Sequence, residues 1–271
     1  MQIFAIRDEL EAQKKNIAFL IYYEQEKRFY IELPEDADEW DTPLLLSSFV
    51  KRGEHTVNSY WSRLWVQQRI VPPDRQNLGQ ILRDNNLDSY DEFELLLLSE
   101  GRCAQDSYYL APVSENELPQ EFKARFMKKV EDVVPLSNYR LLVFFRDGTI
   151  KKCAVEPLAV ENPALGMLLK NDDAYFRVKV QTGGYGVIWD ENMRIADNVL
   201  YTHGVSIPLS AEDFAAFAAN RVITTAEASE MLGCSRQNID DLVRRGKLHP
   251  IKITPKNKLF LKSEIMQRNW Q

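Results

Sequence analysis

Hydrophobic and polar positions follow different periods in different parts of the chain. Near the start, Ile17–Tyr23 is a continuous apolar run with β-branched and aromatic content, which predicts a strand. Arg28–Leu33 alternates after the polar stretch Glu24–Lys27, so the two runs predict a hairpin. Pro43–Val50 reads as a third strand. From Ser59 to Ile70 the period becomes helical, with Trp61, Leu64 and Trp65 at i, i+3 and i+4. Pro72-Pro73 stops that helix. Asp74 is placed to cap a second helix over Arg75–Arg83, and Asp91–Leu98 predicts a third, ended by Gly101. Ser107–Leu110 returns to a strand pattern.

Residues 116–127 are polar and helix-prone and read as a connector. Beyond it, Lys129–Val134 predicts a strand stopped by Pro135. Arg140–Phe145 and Thr149–Val155 flank Arg146-Asp147-Gly148, a strong hairpin signal because Gly tolerates the positive φ of such turns. Tyr175–Val180 and Val187–Trp189 flank Thr182–Gly186, a second hairpin. The Gly-rich run there lacks a following Lys-Ser/Thr and opens no helix, so it reads as a turn, not a phosphate cradle. Trp189-Asp190 reads as a packing residue followed by a turn cap.

The last fifty residues are the most regular. Thr224–Glu227 fits a capping box, with Ala228, Met231 and Leu232 as the inward stripe. Gly233-Cys234-Ser235 makes a turn. Ser235 caps a second helix whose inward residues are Ile239, Leu242 and Val243, and Gly246 closes it. Leu248–Ile253 and Lys258–Lys262 flank Thr254–Asn257 as a β-wing, and Ser263 is placed to cap a last helix over Glu264–Asn269. The expected fold class is α+β and multi-domain. A β-rich module with helices spans 1–115, a compact α+β domain spans 128–208, and a winged helix-turn-helix spans 221–271.

Composition adds exclusions. The chain has 271 residues, 45% apolar and 27% charged, an ordinary globular balance. Cys103, Cys153 and Cys234 are odd in number and widely spaced, and His55, His203 and His249 have no partner at ligand spacing, so neither a disulfide framework nor a metal or other cofactor is expected. The apolar stretches, Leu95–Leu98 and the longer Ile17–Tyr23 included, are far below the ~20 residues of a membrane helix. The N-terminus resembles no signal peptide, so the expected location is cytoplasmic, with no membrane partner.

Charge changes the picture more. The net value is −6, which by itself argues against nucleic acid. Residues 221–271 nevertheless carry ten basic and five acidic residues, net +5, while residues 1–220 carry 24 and 35, net −11. A basic module on an acidic body points to DNA. In a helix-turn-helix the first residues of the second helix meet base edges in the major groove. Here these are Ser235, Arg236, Gln237 and Asn238. Arg can bridge guanine O6 and N7, and Gln or Asn can bridge adenine N6 and N7. Arg244, Arg245 and Lys247 suit phosphates, as do Lys256 and Lys258 on the wing. Val222–Ile265 resembles the excisionase/MerR-like winged helix-turn-helix family, carried by Thr225–Arg236, Leu242–Leu248 and the wing.

Two further resemblances concern the body. Pro43–Ser47, Arg52-Gly53, Tyr60-Trp61, Arg69–Arg75 and Gly101–Ala104 make Pro43–Leu110 similar to the N-terminal subdomain of the HipA toxin-kinase family. That unit also occurs free-standing as HipS. The family's Leu-Leu-Pro-Glu run is replaced here by Ile70-Val71-Pro72-Pro73, and Gly101–Ala104 is one residue short of its pattern. No segment supplies a kinase lobe with a catalytic-loop Asp, a metal-binding Asn and a Gly-rich loop with paired Lys, so no enzyme is expected. The resemblance implies a HipA/HipT-like kinase partner, docked through Tyr60, Trp61, Trp65 and Arg69, since aromatics anchor interfaces. The helical spacing of Trp61 and Trp65 equally suits core positions. Lys128–Ser206 resembles the bacterial domain of unknown function family 2442, through Val130–Val133, Leu141–Phe145, Asp147-Gly148, Phe176–Val178, Ile188–Asp190 and Asp197–Tyr201.

Together these readings imply a non-enzymatic transcriptional regulator that binds double-stranded operator DNA, acts as a homodimer, and serves as antitoxin and autorepressor of a HipA-like kinase. One rival is a regulator without a toxin that senses a ligand or protein through its first two modules. The other is an interaction adaptor that does not bind DNA.

Overall fold

A computed structural model describes residues 1–11, 15–207 and 211–268. The chain is α+β and multi-domain, and it divides into two compact units, residues 1–123 and 124–271.

In the first unit, strands β1 (Gln2–Asp8), β2 (Asn16–Tyr23) and β3 (Arg28–Glu32) precede helix α1 (Leu44–Lys51). Strand β4 (Thr56–Val57) leads into α2 (Ser59–Gln67), then α3 (Leu78–Asp84), α4 (Glu92–Leu98) and β5 (Tyr108–Pro112). Helix α5 (Gln120–Met127) crosses the division between the units. The strands form one antiparallel sheet in the order β4-β3-β2-β1-β5, and the predicted β2–β3 hairpin pairs Tyr23 with Arg28. Leu20 and Ile31 of the sheet share a core with Leu46, Trp65, Val66 and Leu96 of the helices.

Two expectations change here. Pro43–Val50 is helical, not extended. Pro43 precedes the helix, where its missing N–H costs nothing. Leu46 and Phe49, three apart, turn inward together, whereas a strand would put them on opposite faces. Helix α3 begins at Leu78, not Arg75, and Asp74 does not cap it. Asn77 precedes it without a capping bond, its side-chain oxygen being taken by Arg75 Nε at 2.9 Å. The helix at 92–98 starts as expected, with Asp91 Oδ1 accepting the Phe93 N–H at 2.9 Å.

In the second unit, β6 (Val130–Leu136), β7 (Arg140–Phe145) and β8 (Ile150–Ala154) form a meander. Short helices α6 (Val155–Glu161), α7 (Pro163–Gly166) and α8 (Asp172–Tyr175) follow. Next come β9 (Lys179–Val180), β10 (Gly186–Ile188), β11 (Arg194–Ala196), α9 (Asp197–His203) and β12 (Val205–Ser206). The sheets run β12-β8-β7-β6 and β11-β10-β9. Pro135 does not stop β6 as expected. The strand lies at a sheet edge, where a missing N–H breaks no ladder. The Asp147-Gly148 turn is present, with Gly148 at φ +82°. The second hairpin is present too, but 175–178 is not strand. Tyr175 ends a helical turn and only Lys179–Val180 pair with β10. Trp189 donates through Nε1 to the Tyr175 carbonyl at 2.8 Å, and Asp190 accepts the Asn192 and Met193 N–H groups.

Helix α10 (Ala211–Arg221) lies on the β6-β7-β8 face, with Phe217 5.0 Å from Phe144 between ring centres, alongside Val134, Leu136 and Leu142. It runs directly into β13 (Val222–Thr224), α11 (Thr225–Met231), α12 (Arg236–Arg244), β14 (Lys252–Ile253), β15 (Lys258–Leu261) and α13 (Lys262–Arg268). The last helix starts one residue before Ser263, which is buried inside it, and Asn269 lies outside the described residues.

Candidate nucleic-acid interface

Local chemistry fixes both helices of the C-terminal motif. Thr224 Oγ1 accepts the Glu227 N–H, and Glu227 Oε2 accepts the Thr224 N–H at 2.7 Å, completing the capping box. The hydrogen bonds from Thr224 hold the Glu227 carboxyl below the usual carboxylate range. At the end of α11, Gly233 N–H donates to Glu230 O and Cys234 N–H to Ser229 O, with Gly233 at φ +61°. This paired closure leaves the chain turning sharply into α12. Ser235 Oγ accepts the Asn238 N–H at 3.2 Å. The same closure ends α12, where Gly246 N–H meets Val243 O and Lys247 N–H meets Leu242 O.

Ile239 is fully buried with Ala228, Leu248, Phe260 and Ile265, and Leu242 and Val243 pack against them. That anchoring turns Arg236, Gln237, Asn238 and Arg244 outward, all exposed, with Arg245 and Lys247 exposed just beyond the helix. Strand β15 pairs with β14, forming the wing, and also with β13, a strand not expected from the sequence. Thr254 N–H closes the wing turn on Asn257 O at 2.8 Å, presenting exposed Lys256. Lys258 is ion-paired with Asp240 and Arg244 with Asp241. Arg236, Arg245, Lys247 and Lys256 make no ion pair among the described residues.

The motif is tied to the domain before it. Arg221 Nη2 lies 2.5 Å from Asp132 Oδ1 of β6, both side chains nearly buried, and Gln267 of α13 donates to Glu131 at 3.0 Å. Burial pushes the Asp132 carboxyl up to about 6, with Arg221 pulling the other way. Burial also lowers the Arg221 guanidinium. Sequence reasoning missed this pair. An Asp and an Arg 89 residues apart give no local signal.

The four residues expected at a partner surface do not share one. Tyr60 is 67% exposed and Trp61 39%, at the start of α2 where Asn58 caps the helix. Trp65 is fully buried. Arg69 lies beyond the end of α2, buried against the Trp65 ring at 3.7 Å and ion-paired with Asp106. The Gly183–Gly186 run is a turn with a packing role. A Cβ on Gly184 would lie 2.4 Å from Val130 O, and one on Gly186 2.1 Å from Ile195 O. Among the described residues no group of three or more His, Cys, Asp or Glu could hold a metal, and no helix is long and apolar enough to cross a membrane.

Residues 130–206 match the family described as "Protein of unknown function (DUF2442)", and residues 222–268 match the family described as "Helix-turn-helix domain". No curated protein matches the chain. A solved structure titled "Putative DNA Binding Protein NE0471" from Nitrosomonas europaea ATCC 19718 shares 25% identity over 45% of this chain and 79% of its own. Its TM-score of 0.25 is too low to indicate a common overall fold. The chain therefore carries, one after the other, a segment similar to DUF2442 and a helix-turn-helix domain of the excisionase-like kind.

Proposed function

We propose that the protein is a non-enzymatic transcriptional regulator built from three modules, 1–115, 128–208 and 221–271, whose winged helix-turn-helix binds operator DNA. The observation that carries this reading is the outward face of α12, with Arg236, Gln237 and Asn238 at its start and the basic wing beside it. A nine-residue helix offers few base contacts, so the protein acts on paired half-sites as a homodimer. A gel shift of the full chain on its own upstream region, at two salt concentrations, tests it. Binding should weaken steeply with salt, and Arg236→Ala should erase the preference over random duplex. No binding to any duplex at low salt overturns the DNA reading and leaves the adaptor.

The finer reading is an antitoxin that neutralises a HipA/HipT-like kinase and represses its own operon. It is supported by the N-terminal resemblance and by the exposed pair Tyr60 and Trp61, whose rings lie 5.3 Å apart edge to face. Co-expression with a neighbouring kinase gene should give a complex that Trp61→Ala weakens and should relieve toxicity. No complex and no relief overturn it. A regulator that senses a ligand or protein is favoured by a different observation, the Arg221–Asp132 tie between the DUF2442-like segment and the winged helix. Absence of a kinase gene beside this one selects it.

A further inference from the structure

The exposed face of α12 is not uniformly basic. Helical spacing aligns Gln237 with Asp241 opposite the buried Ile239, and Arg236 with Asp240 and Arg244 along the stripe beside them. Two carboxylates therefore stand in the face that the DNA reading turns toward the major groove. Each is already matched inside the molecule. Asp241 holds Arg244, three residues on, and Asp240 holds Lys258 at the first position of β15. All four side chains keep solvent contact, with Asp241 42% and Asp240 55% exposed. These are the two cations of the DNA-facing set that carry an internal partner. The other four, Arg236, Arg245, Lys247 and Lys256, are exposed and make no ion pair among the described residues.

We infer that Asp240 and Asp241 are internal counter-ions that a DNA backbone must displace, and that they set the selectivity of the motif by suppressing sequence-independent binding. This rests on the DNA-binding reading. An exposed ion pair is weak, so exchanging a carboxylate for a phosphate on Arg244 or Lys258 yields little. The released carboxylate then faces the phosphates, which is unfavourable. A random duplex offers only phosphates and gains nothing from the exchange. A duplex that also satisfies Arg236, Gln237 and Asn238 at base edges gains enough to drive it. Discrimination arises because the wrong ligand is disfavoured, with no added contact to the right one. The Asp240–Lys258 pair joins the recognition helix to the wing until it is displaced.

The test is a double-mutant cycle on the full-length protein, with a random-sequence duplex as probe and binding followed by anisotropy across a salt series. Asp241→Asn should tighten binding roughly five-fold and steepen the log K against log salt slope by about one, as one more phosphate contact requires. Arg244→Gln alone leaves Asp241 unmatched and should weaken binding modestly, whereas in the Asp241→Asn background it should cost more, cancelling the whole gain, because only there is Arg244 free to meet a phosphate; the cycle is then non-additive. Asp240→Asn with Lys258→Gln should repeat the pattern. Additive cycles overturn the inference, because a carboxylate acting only through its own charge would raise affinity whether or not Arg244 is present. Unchanged affinity in Asp241→Asn overturns it equally. A parent protein that binds no duplex at low salt overturns the DNA reading and this inference with it, whereas a binding parent with additive cycles removes only the inference.

Discussion

At Gly184 the backbone φ is +78° and the space for a side chain is filled by the Val130 carbonyl. Conformation and contact both exclude a Cβ, and the opposing atom is main chain that cannot swing away. Gly184→Ala should cost about 2 kcal/mol, seen as a lower urea midpoint at unchanged m. The turn itself was legible from the Gly-rich run, but its reason was not, since Val130 lies far away in sequence. Asp132 makes the same point for charge. Asp132→Ala strands a buried Arg221 and should cost about 3 kcal/mol in equilibrium unfolding. Its carboxyl is raised in the fold by burial, so the stability linked to its protonation is full below pH 3.8 and is lost as pH climbs through about 6, while the ion pair with Arg221 remains. Asp132→Asn cannot ionise, and should flatten that part of the stability-against-pH curve. Trp65 and Arg69 were candidates for a surface because spacing alone does not say which side of a helix faces the core. Asp106, which holds Arg69, comes from a distant loop.

At the scale of elements, what is locally encoded was readable. The Thr224–Glu227 box, the Ser235 cap and the closures at Gly233 and Gly246 involve residues within five of one another, and all are present. Ser235→Ala removes the acceptor for the Asn238 N–H and should cost about 1 kcal/mol, while also loosening the start of the recognition helix. Its duplex affinity should fall with it; normal affinity beside lowered stability would mean that duplex binding reorders the first turn. What depends on distant partners was not readable. Strand β13 has three residues and exists only because β15 lies beside it. Strand β1 pairs with both β2 and β5, and the second of these lies a hundred residues on. Helix α1 was misread because Leu44-Leu45-Leu46 satisfies either period until burial shows Leu46 and Phe49 inward and Leu44 91% exposed.

For the whole molecule, the division between compact units sharpens the charge argument. Residues 1–123 hold 13 basic and 23 acidic residues, net −10, and residues 124–271 hold 21 and 17, net +4. The acidity therefore belongs almost wholly to the first unit. A chain shortened to 124–271 should bind random duplex more tightly than the full chain, by a margin that shrinks as salt rises. Equal affinities would mean that the first unit's field does not reach the DNA-binding face. The second unit has a further property. Helix α10 passes into β13 with no intervening linker, while Arg221 and Gln267 fasten the motif to β6. Free energy gained at the wing is therefore shared with the sheet behind it. In hydrogen exchange, the amides of Leu141–Val143 in the central strand β7 should slow when duplex is added, although none of them can touch it.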